Sequence, residues 1–98
     1  MDIMKKYLDD SLEIALSGRL DTLTSPQLEK ELSSSLDGVK QLVLDFSALE
    51  YVSSAGLRVL LTAQKVMNTQ GSMKICHVRP LVMEVFEITG FVDILTIE

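Results

Sequence analysis

The stretch YVSSAGLRVLL, residues 51–61, sets two hydroxyl side chains and the two smallest residues in front of a long apolar run. Serine favours the start of a helix, because its side-chain oxygen accepts hydrogen bonds from backbone N–H groups that lack a partner there. Glycine inside a helix costs roughly 0.8–1 kcal/mol relative to alanine. We therefore expect a helix to begin near Ser54, and another group to approach its backbone closely at Gly56.

The segments before this stretch have the patterns of two strands and a helix. Residues 3–8 and the alternating apolar residues of 12–16 predict an N-terminal hairpin, whose second strand ends at Gly18. Ser25 followed by Pro26 predicts a helix with serine as its N-cap. Leucines at steps of four mark its inward face: Leu28, Leu32 and Leu36.

Strands and helices then alternate to the end of the chain. The apolar run 41–46 predicts a strand covered on both faces. A helix over residues 54–70 follows, then a buried strand within MKICHV, residues 73–78, a helix over 80–89 and a short last strand within 93–98. The apolar residues of the last helix are expected to point inward: Leu81, Val82, Val85, Phe86 and Ile88.

This order predicts a single α/β domain over residues 1–98. Its sheet is expected to be mixed, with four or five strands, an antiparallel N-terminal hairpin and largely parallel pairing after it. At least three helices should pack on that sheet, because each carries an apolar stripe that needs cover.

The amino-acid composition indicates a single aliphatic core and argues against nucleic-acid partners and a membrane span. The 98 residues are 47% apolar, with five aromatic residues and no tryptophan, which indicates one aliphatic core. A net charge of -5 argues against nucleic-acid partners, which select basic surfaces. The apolar runs are far shorter than the roughly 20 residues of a membrane span, and the N-terminus lacks a signal-peptide pattern. The single cysteine, Cys76, fits a reducing compartment, so we expect a cytoplasmic protein without a membrane span.

Catalytic motifs are absent from the sequence. It has no phosphate-binding glycine loop and no evident nucleophile paired with a base, so we expect no enzyme, no catalytic residue and no cofactor. Cys76 and His77 are neighbours on a predicted strand and should point to opposite faces, so they are not expected to share a metal ion.

Asp21 and Asp45 each follow a predicted strand and could border the same end of the sheet. One interpretation is an acidic pocket around the serines that holds Mg²⁺ or orients a hydroxyl group. The other is that both carboxylates form turn hydrogen bonds with the backbone.

The start of the helix at Ser54 also suits a phosphate group. Unpaired N–H groups and the helix dipole favour negative charge there. A phosphoserine in the first turn would add about -1.5 to -2 charges. The local physics therefore fits a reversible phosphate switch on the protein surface.

Three segments of the chain resemble one protein family. LVLDFSALEYVSSAGLRVLL, residues 42–61, resembles the central signature of STAS-domain proteins, the bacterial anti-sigma factor antagonists. GRLDTLTSPQLEKEL, residues 18–32, is similar to the family's Gly-x-Leu-Asp loop and first helix, and RPLVMEVFEITGFVDIL, residues 79–95, is similar to its last helix and strand.

The resemblance implies a binding module that regulates transcription by partner switching. Its partner would be an anti-sigma factor that is also a serine kinase; phosphorylation would end the binding, and a serine phosphatase would restore it. The acceptor would be Ser54, with Ser53 as second choice, and Gly56 would let the kinase and its nucleotide approach. The implied partner surface comprises Asp21, Thr22, Ser53, Ser54, Gly56 and Arg58.

The sequence differs from the commonest family pattern at two positions. Many members have Asp-Ser-Ser-Gly or Asp-Ser-Thr-Gly, whereas this chain has Ser53 in place of the aspartate and Ala55 before Gly56. A constitutive antagonist, or a STAS subunit of a transporter or sensory scaffold complex, is therefore the alternative. A small nucleotide-binding enzyme is the third hypothesis.

Overall fold

The computed structural model describes residues 1–98 and contains a four-stranded sheet and three α-helices. The elements are β1 (Asp2–Leu8), β2 (Ser11–Leu20), α1 (Ser25–Ser35), β3 (Gln41–Val52), α2 (Ser54–Gln70), β4 (Ser72–Cys76), α3 (Pro80–Thr89) and a 3₁₀ turn (Phe91–Asp93). The strand order is β1-β2-β3-β4, with β1 and β2 antiparallel and the other two pairs parallel. The predicted mixed sheet with an N-terminal hairpin is therefore confirmed.

The core lies on one face of this sheet. Side chains from all three helices join those of the strands in a single cluster of 23 buried apolar residues. Along β3, Leu42, Leu44 and Phe46 are buried, whereas Val43 and Asp45 between them are only partly covered. The expectation that this strand is covered on both faces is wrong. The other face, here called the open face, carries partly or fully exposed residues: Glu13, Ala15, Val43, Asp45, Lys74 and Cys76.

The two central strands are longer than their sequence patterns predict. β2 does not end at Gly18, and β3 does not end after residue 46; the two strands stay paired as far as Leu20 opposite Val52. Register shifts interrupt the pairing between Ala15 and Ser17 and again after Gly18, whose φ is +94°. Such bulges let a strand continue where apolar and polar residues no longer alternate.

The N-cap of the first helix lies one residue before the predicted one. Thr24 is the N-cap, and Ser25 is the first helical residue, buried, with its hydroxyl donating to the Asp21 carbonyl oxygen. The inward leucine stripe is confirmed, since all three members are buried: Leu28, Leu32 and Leu36.

The C-terminal region is only partly as predicted. The bounds of α3 are confirmed, and Val82 and Phe86 are buried, but Leu81 and Ile88 are 60% and 78% exposed. Phe86 of this helix packs on Phe46 of β3, with 6.3 Å between the ring centroids. The predicted last strand is wrong, because residues 93–98 form only a single bridge to β4. None of the helices combines the length and the apolar character needed to cross a membrane.

Candidate functional site

The two adjacent serines at the start of α2 have different environments. Ser53 is the N-cap, with extended backbone angles of φ -93° and ψ 175°, and its Oγ accepts a hydrogen bond from the Gly56 N–H at 3.4 Å. Its own N–H donates to the Leu20 carbonyl oxygen at 2.9 Å. The Ser53 side chain is therefore partly buried and already serves the helix start.

Ser54 is the first residue of α2, as predicted, and its side chain is exposed. Its hydroxyl makes no hydrogen bond to any other group of the protein. The backbone N–H groups of a helix's first turn have no partner within the helix. A phosphate on Ser54 would lie beside them, at the positive end of the helix dipole.

Gly56 is buried, and the close approach expected there is confirmed, but the approaching group belongs to the fold itself. A Cβ atom at this position would lie 2.7 Å from Cγ of Leu20 and 3.0 Å from the Leu20 carbonyl oxygen. The glycine thus lets α2 begin directly against the end of β2. The packing against Leu20 is sufficient to explain the glycine, and the expected role of Gly56 in the approach of a kinase stays a prediction.

The turn between β2 and α1 is organised by Asp21. Its Oδ1 accepts hydrogen bonds from the N–H groups of Leu23 and Thr24 at 3.0 and 3.1 Å, and Thr24 Oγ1 lies 3.1 Å from the same oxygen. The Thr24 N–H, more than any other group, holds the pKa of Asp21 below its usual value. The turn exposes the side chains of Thr22 and Leu23.

The sheet brings this turn to the start of α2. Leu20 pairs with Val52, so the residues that follow them, Asp21 and Ser53, leave the sheet side by side. One helical turn beyond Ser54 lies Arg58, which is exposed, as expected, and forms no salt bridge with the protein. We call the surface formed by Asp21, Thr22, Ser53, Ser54 and Arg58 the α2 surface.

Sequence reasoning missed two residues beside this surface. The Arg19 guanidinium lies 4.3 Å from the centroid of the Tyr51 ring, and its Nε is 3.8 Å from Oδ2 of Asp21. The two side chains are partners in the register of β2 and β3. Only the true length of β3 could have revealed this pair, because the sequence pattern placed Tyr51 in a loop.

Asp45 lies away from the serines. It is inside β3, opposite Ala15 and Cys76 and seven residues before Val52, which corresponds to about 20 Å along a strand. Its Oδ1 accepts a hydrogen bond from the Ser47 N–H at 2.9 Å, the main reason why the pKa of Asp45 is lowered. The predicted acidic pocket shared by Asp21 and Asp45 is therefore wrong.

Cys76 and His77 do not point to opposite faces as expected. β4 ends at Cys76, and His77 has a left-handed backbone with φ +59°. His77 Nδ1 consequently lies 3.1 Å from Asp45 Oδ1, and one ligand atom each of Asp45, Cys76 and His77 lie within 4.8 Å of one another. Burial and the nearby Asp45 carboxylate raise the pKa of the Cys76 thiol.

A groove between α1 and α2 offers about 230 Å³ of space. Its ten lining residues include two carboxylates, Glu29 and Asp37, and no lysine or arginine. It therefore supplies no positive charge for nucleotide phosphates, which usually bind to basic side chains or glycine-rich backbone.

Comparison with known proteins assigns the family. The family model described as STAS domain matches residues 2–98, and the chain belongs to this family. The proposed anti-sigma factor antagonist BtrV of Bordetella bronchiseptica is 42% identical over 96 residues, which cover 96% of this chain and 83% of that protein. The resemblance seen in the sequence is confirmed.

Solved structures share the fold. An anti-sigma factor antagonist from Mycobacterium paratuberculosis superposes with a TM-score of 0.88 at 23% identity, covering 98% of this chain and 83% of that one. The Bacillus cell fate determinant SpoIIAA in its phosphorylated form gives a TM-score of 0.76 at 18% identity, covering 99% and 91%. These structures show the shared fold, and the 42% identical relative is named as an anti-sigma factor antagonist.

Proposed function

We propose that this domain is an anti-sigma factor antagonist that binds a serine-kinase anti-sigma factor through the α2 surface and is released when Ser54 is phosphorylated. The observation that carries this proposal is the exposed, unbonded hydroxyl of Ser54 at the start of α2. The matching STAS domain and the relatives named as antagonists support it.

Ser54 is preferred over Ser53 because its hydroxyl is free. A kinase can phosphorylate the Ser54 hydroxyl without breaking a hydrogen bond of the helix. Phosphorylation of Ser53 would instead modify the oxygen that accepts a hydrogen bond from the Gly56 N–H. Arg58 stands four residues after Ser54, the spacing at which side chains on one helix face meet. Its exposed guanidinium is therefore available to pair with a carboxylate of the partner.

Release follows from the charge that the phosphate adds. A partner surface shaped for a neutral hydroxyl would have to bury about -1.5 to -2 charges without compensation. An uncompensated buried charge costs about 3–5 kcal/mol, which is roughly two to three and a half decades of affinity. A serine phosphatase would restore binding. The domain itself is proposed to act in the cytoplasm as a binding module without catalytic activity.

A transporter or scaffold subunit without regulated phosphorylation is the second candidate. Ala55 favours it, because a residue with a hydroxyl group commonly precedes the glycine in proteins with the regulated pattern. A nucleotide-processing enzyme has weaker support, since the groove between α1 and α2 carries acidic and no basic side chains.

The test is phosphopeptide mass spectrometry after incubation with ATP and a serine-kinase anti-sigma factor from the same organism. We expect one phosphate per chain, on Ser54, no phosphate in Ser54→Ala and full modification of Ser53→Ala. Phosphate on Ser53 alone would reverse the assignment. No phosphate on either serine would favour the transporter or scaffold subunit.

A further inference from the structure

Three side chains with metal-binding chemistry meet at the end of β4. Asp45 and Cys76 are partners in the register of β3 and β4, so both side chains lie on the open face of the sheet. The left-handed backbone of His77 turns its ring back toward them, and its Nδ1 lies 3.1 Å from Asp45 Oδ1. The carboxylate oxygen, the thiol sulfur and the ring nitrogen all lie within 4.8 Å of one another.

We propose that Asp45, Cys76 and His77 bind one zinc-like divalent metal ion on the open face of the sheet. Thiolate, imidazole and carboxylate are the ligand groups that Zn²⁺ uses in proteins. With Zn–N and Zn–O bonds of about 2.0–2.2 Å and Zn–S of about 2.3 Å, ligand atoms in a tetrahedral site stand about 3.3–3.7 Å apart. The observed separations of the three ligand atoms therefore require only small side-chain rotations.

The exposure of the three residues permits these rotations. The His77 side chain is 68% exposed and the Asp45 side chain 21%, while Cys76 is partly buried. Three protein ligands leave one tetrahedral position, which opens to solvent and would hold a water molecule. A thiolate ligand selects zinc, cobalt or cadmium over the hard ions Mg²⁺ and Ca²⁺.

The surrounding charges are compatible with a cation. Lys74 precedes the ligands on the same face, but its Nζ pairs with a Glu98 carboxylate oxygen at 3.4 Å. Glu13, also on the open face, contributes a negative charge that acts on Cys76. Binding would join β3 to the end of β4 and would displace the Cys76 proton into solvent, as metal binding to thiols does.

This site is separate from the α2 surface. Asp45 lies about 20 Å along β3 from the serines, and none of the three ligands belongs to that surface. Metal binding can therefore succeed or fail independently of partner switching.

The experiment is a titration of the reduced full-length chain with Co²⁺ as a spectroscopic probe, followed by displacement with Zn²⁺. We expect one ion per chain, micromolar or tighter affinity, tetrahedral d–d absorption and a thiolate-to-cobalt charge-transfer band. Because the sequence has one cysteine and one histidine, that band can come only from Cys76. Zn²⁺ should also raise the melting temperature.

Three single variants and one control make the test specific. Cys76→Ser should abolish the charge-transfer band, and His77→Ala and Asp45→Asn should each weaken binding at least tenfold. Asparagine keeps an acceptor for the Ser47 N–H, so the last variant should fold. Asp37→Asn changes an exposed carboxylate in the loop before β3, near the start of β4 and therefore at the opposite end of that strand from Cys76, and should bind normally.

Retention of tight binding in Cys76→Ser would overturn the proposal, and so would millimolar affinity in the unmodified chain. One ion per two chains would also overturn it, because the ligands would then come from two molecules.

Discussion

At the residue scale, neighbouring residues of the YVSSAGLR stretch have different roles. Ser53 closes the start of α2, Ser54 presents a free hydroxyl to solvent, and Gly56 lets the helix pack against Leu20. The function proposed for Ser54 therefore depends on two neighbours that have structural tasks. Each of these tasks can be tested by substitution without the partner.

Gly56→Ala should destabilise the protein although alanine is the better helix former. The new methyl would lie 2.7 Å from Cγ of Leu20, and such overpacking costs about 1–3 kcal/mol. Urea denaturation measures the change. The control is the same substitution in a Leu20→Ala background, where the cost should be smaller because only the contact with the Leu20 carbonyl oxygen at 3.0 Å remains. An equal cost in both backgrounds would contradict the role of the Leu20 side chain.

Asp21 should make the free energy of unfolding depend on pH in the acidic range. Its pKa is lower in the folded chain than the ordinary value of 3.8, so its carboxylate stabilises the fold above that value. As the pH falls, the unfolded chain takes up the proton near the ordinary pKa and the folded chain takes it up at the lowered pKa. The contribution of Asp21 to stability is lost over this interval. The stability difference between the unmodified chain and Asp21→Asn should be full at pH 6 and shrink below about pH 4. A difference that is constant between pH 6 and pH 3 would contradict the assignment.

Arg58→Glu should weaken binding to the cognate kinase while leaving the melting temperature nearly unchanged. The side chain is exposed and forms no salt bridge, so surface substitution should cost less than about 0.5 kcal/mol of stability. Lys65→Glu is the matched control, because it reverses the charge of another exposed residue farther along α2. This variant should bind normally. Equal affinities of the unmodified chain and Arg58→Glu would remove Arg58 from the α2 surface.

At the scale of elements, the bounds of α2 and α3 were predictable, whereas the lengths of the two central strands were not. The bounds of α2 and α3 follow from capping residues and a period near 3.6. The strands β2 and β3 extend through bulges, where alternation fails and the sequence gives no signal. His77 was misplaced for a related reason, since one left-handed residue ends the alternation after β4.

Shortening side chains to alanine on the two faces of α3 should have different effects on stability. Phe86→Ala should cost about 3–5 kcal/mol, because this ring is fully buried against Phe46, whereas Ile88→Ala should stay within about 0.5 kcal/mol. Chemical denaturation of both variants checks the contrast. A large loss for Ile88→Ala would show that the helix is rotated from the orientation described here.

At the scale of the whole molecule, the sheet decides which predicted site residues meet. Pairing of Leu20 with Val52 brings Asp21 and the serines together, as the sequence suggested from the ends of strands. The same pairing leaves Asp45 far from them, because β3 continues for seven residues beyond it. The sequence could thus indicate that residues following neighbouring strands meet, whereas which residues those are depended on strand length and register.

The central claim is that a phosphate on Ser54 controls binding through the α2 surface. The most direct measurement uses titration calorimetry to compare the affinities of the unmodified and the Ser54-phosphorylated chain for the cognate serine-kinase anti-sigma factor. We expect phosphorylation to weaken binding by at least about 100-fold, which corresponds to about 2.7 kcal/mol, with no loss of folded structure. Equal affinities of the two forms would contradict the account.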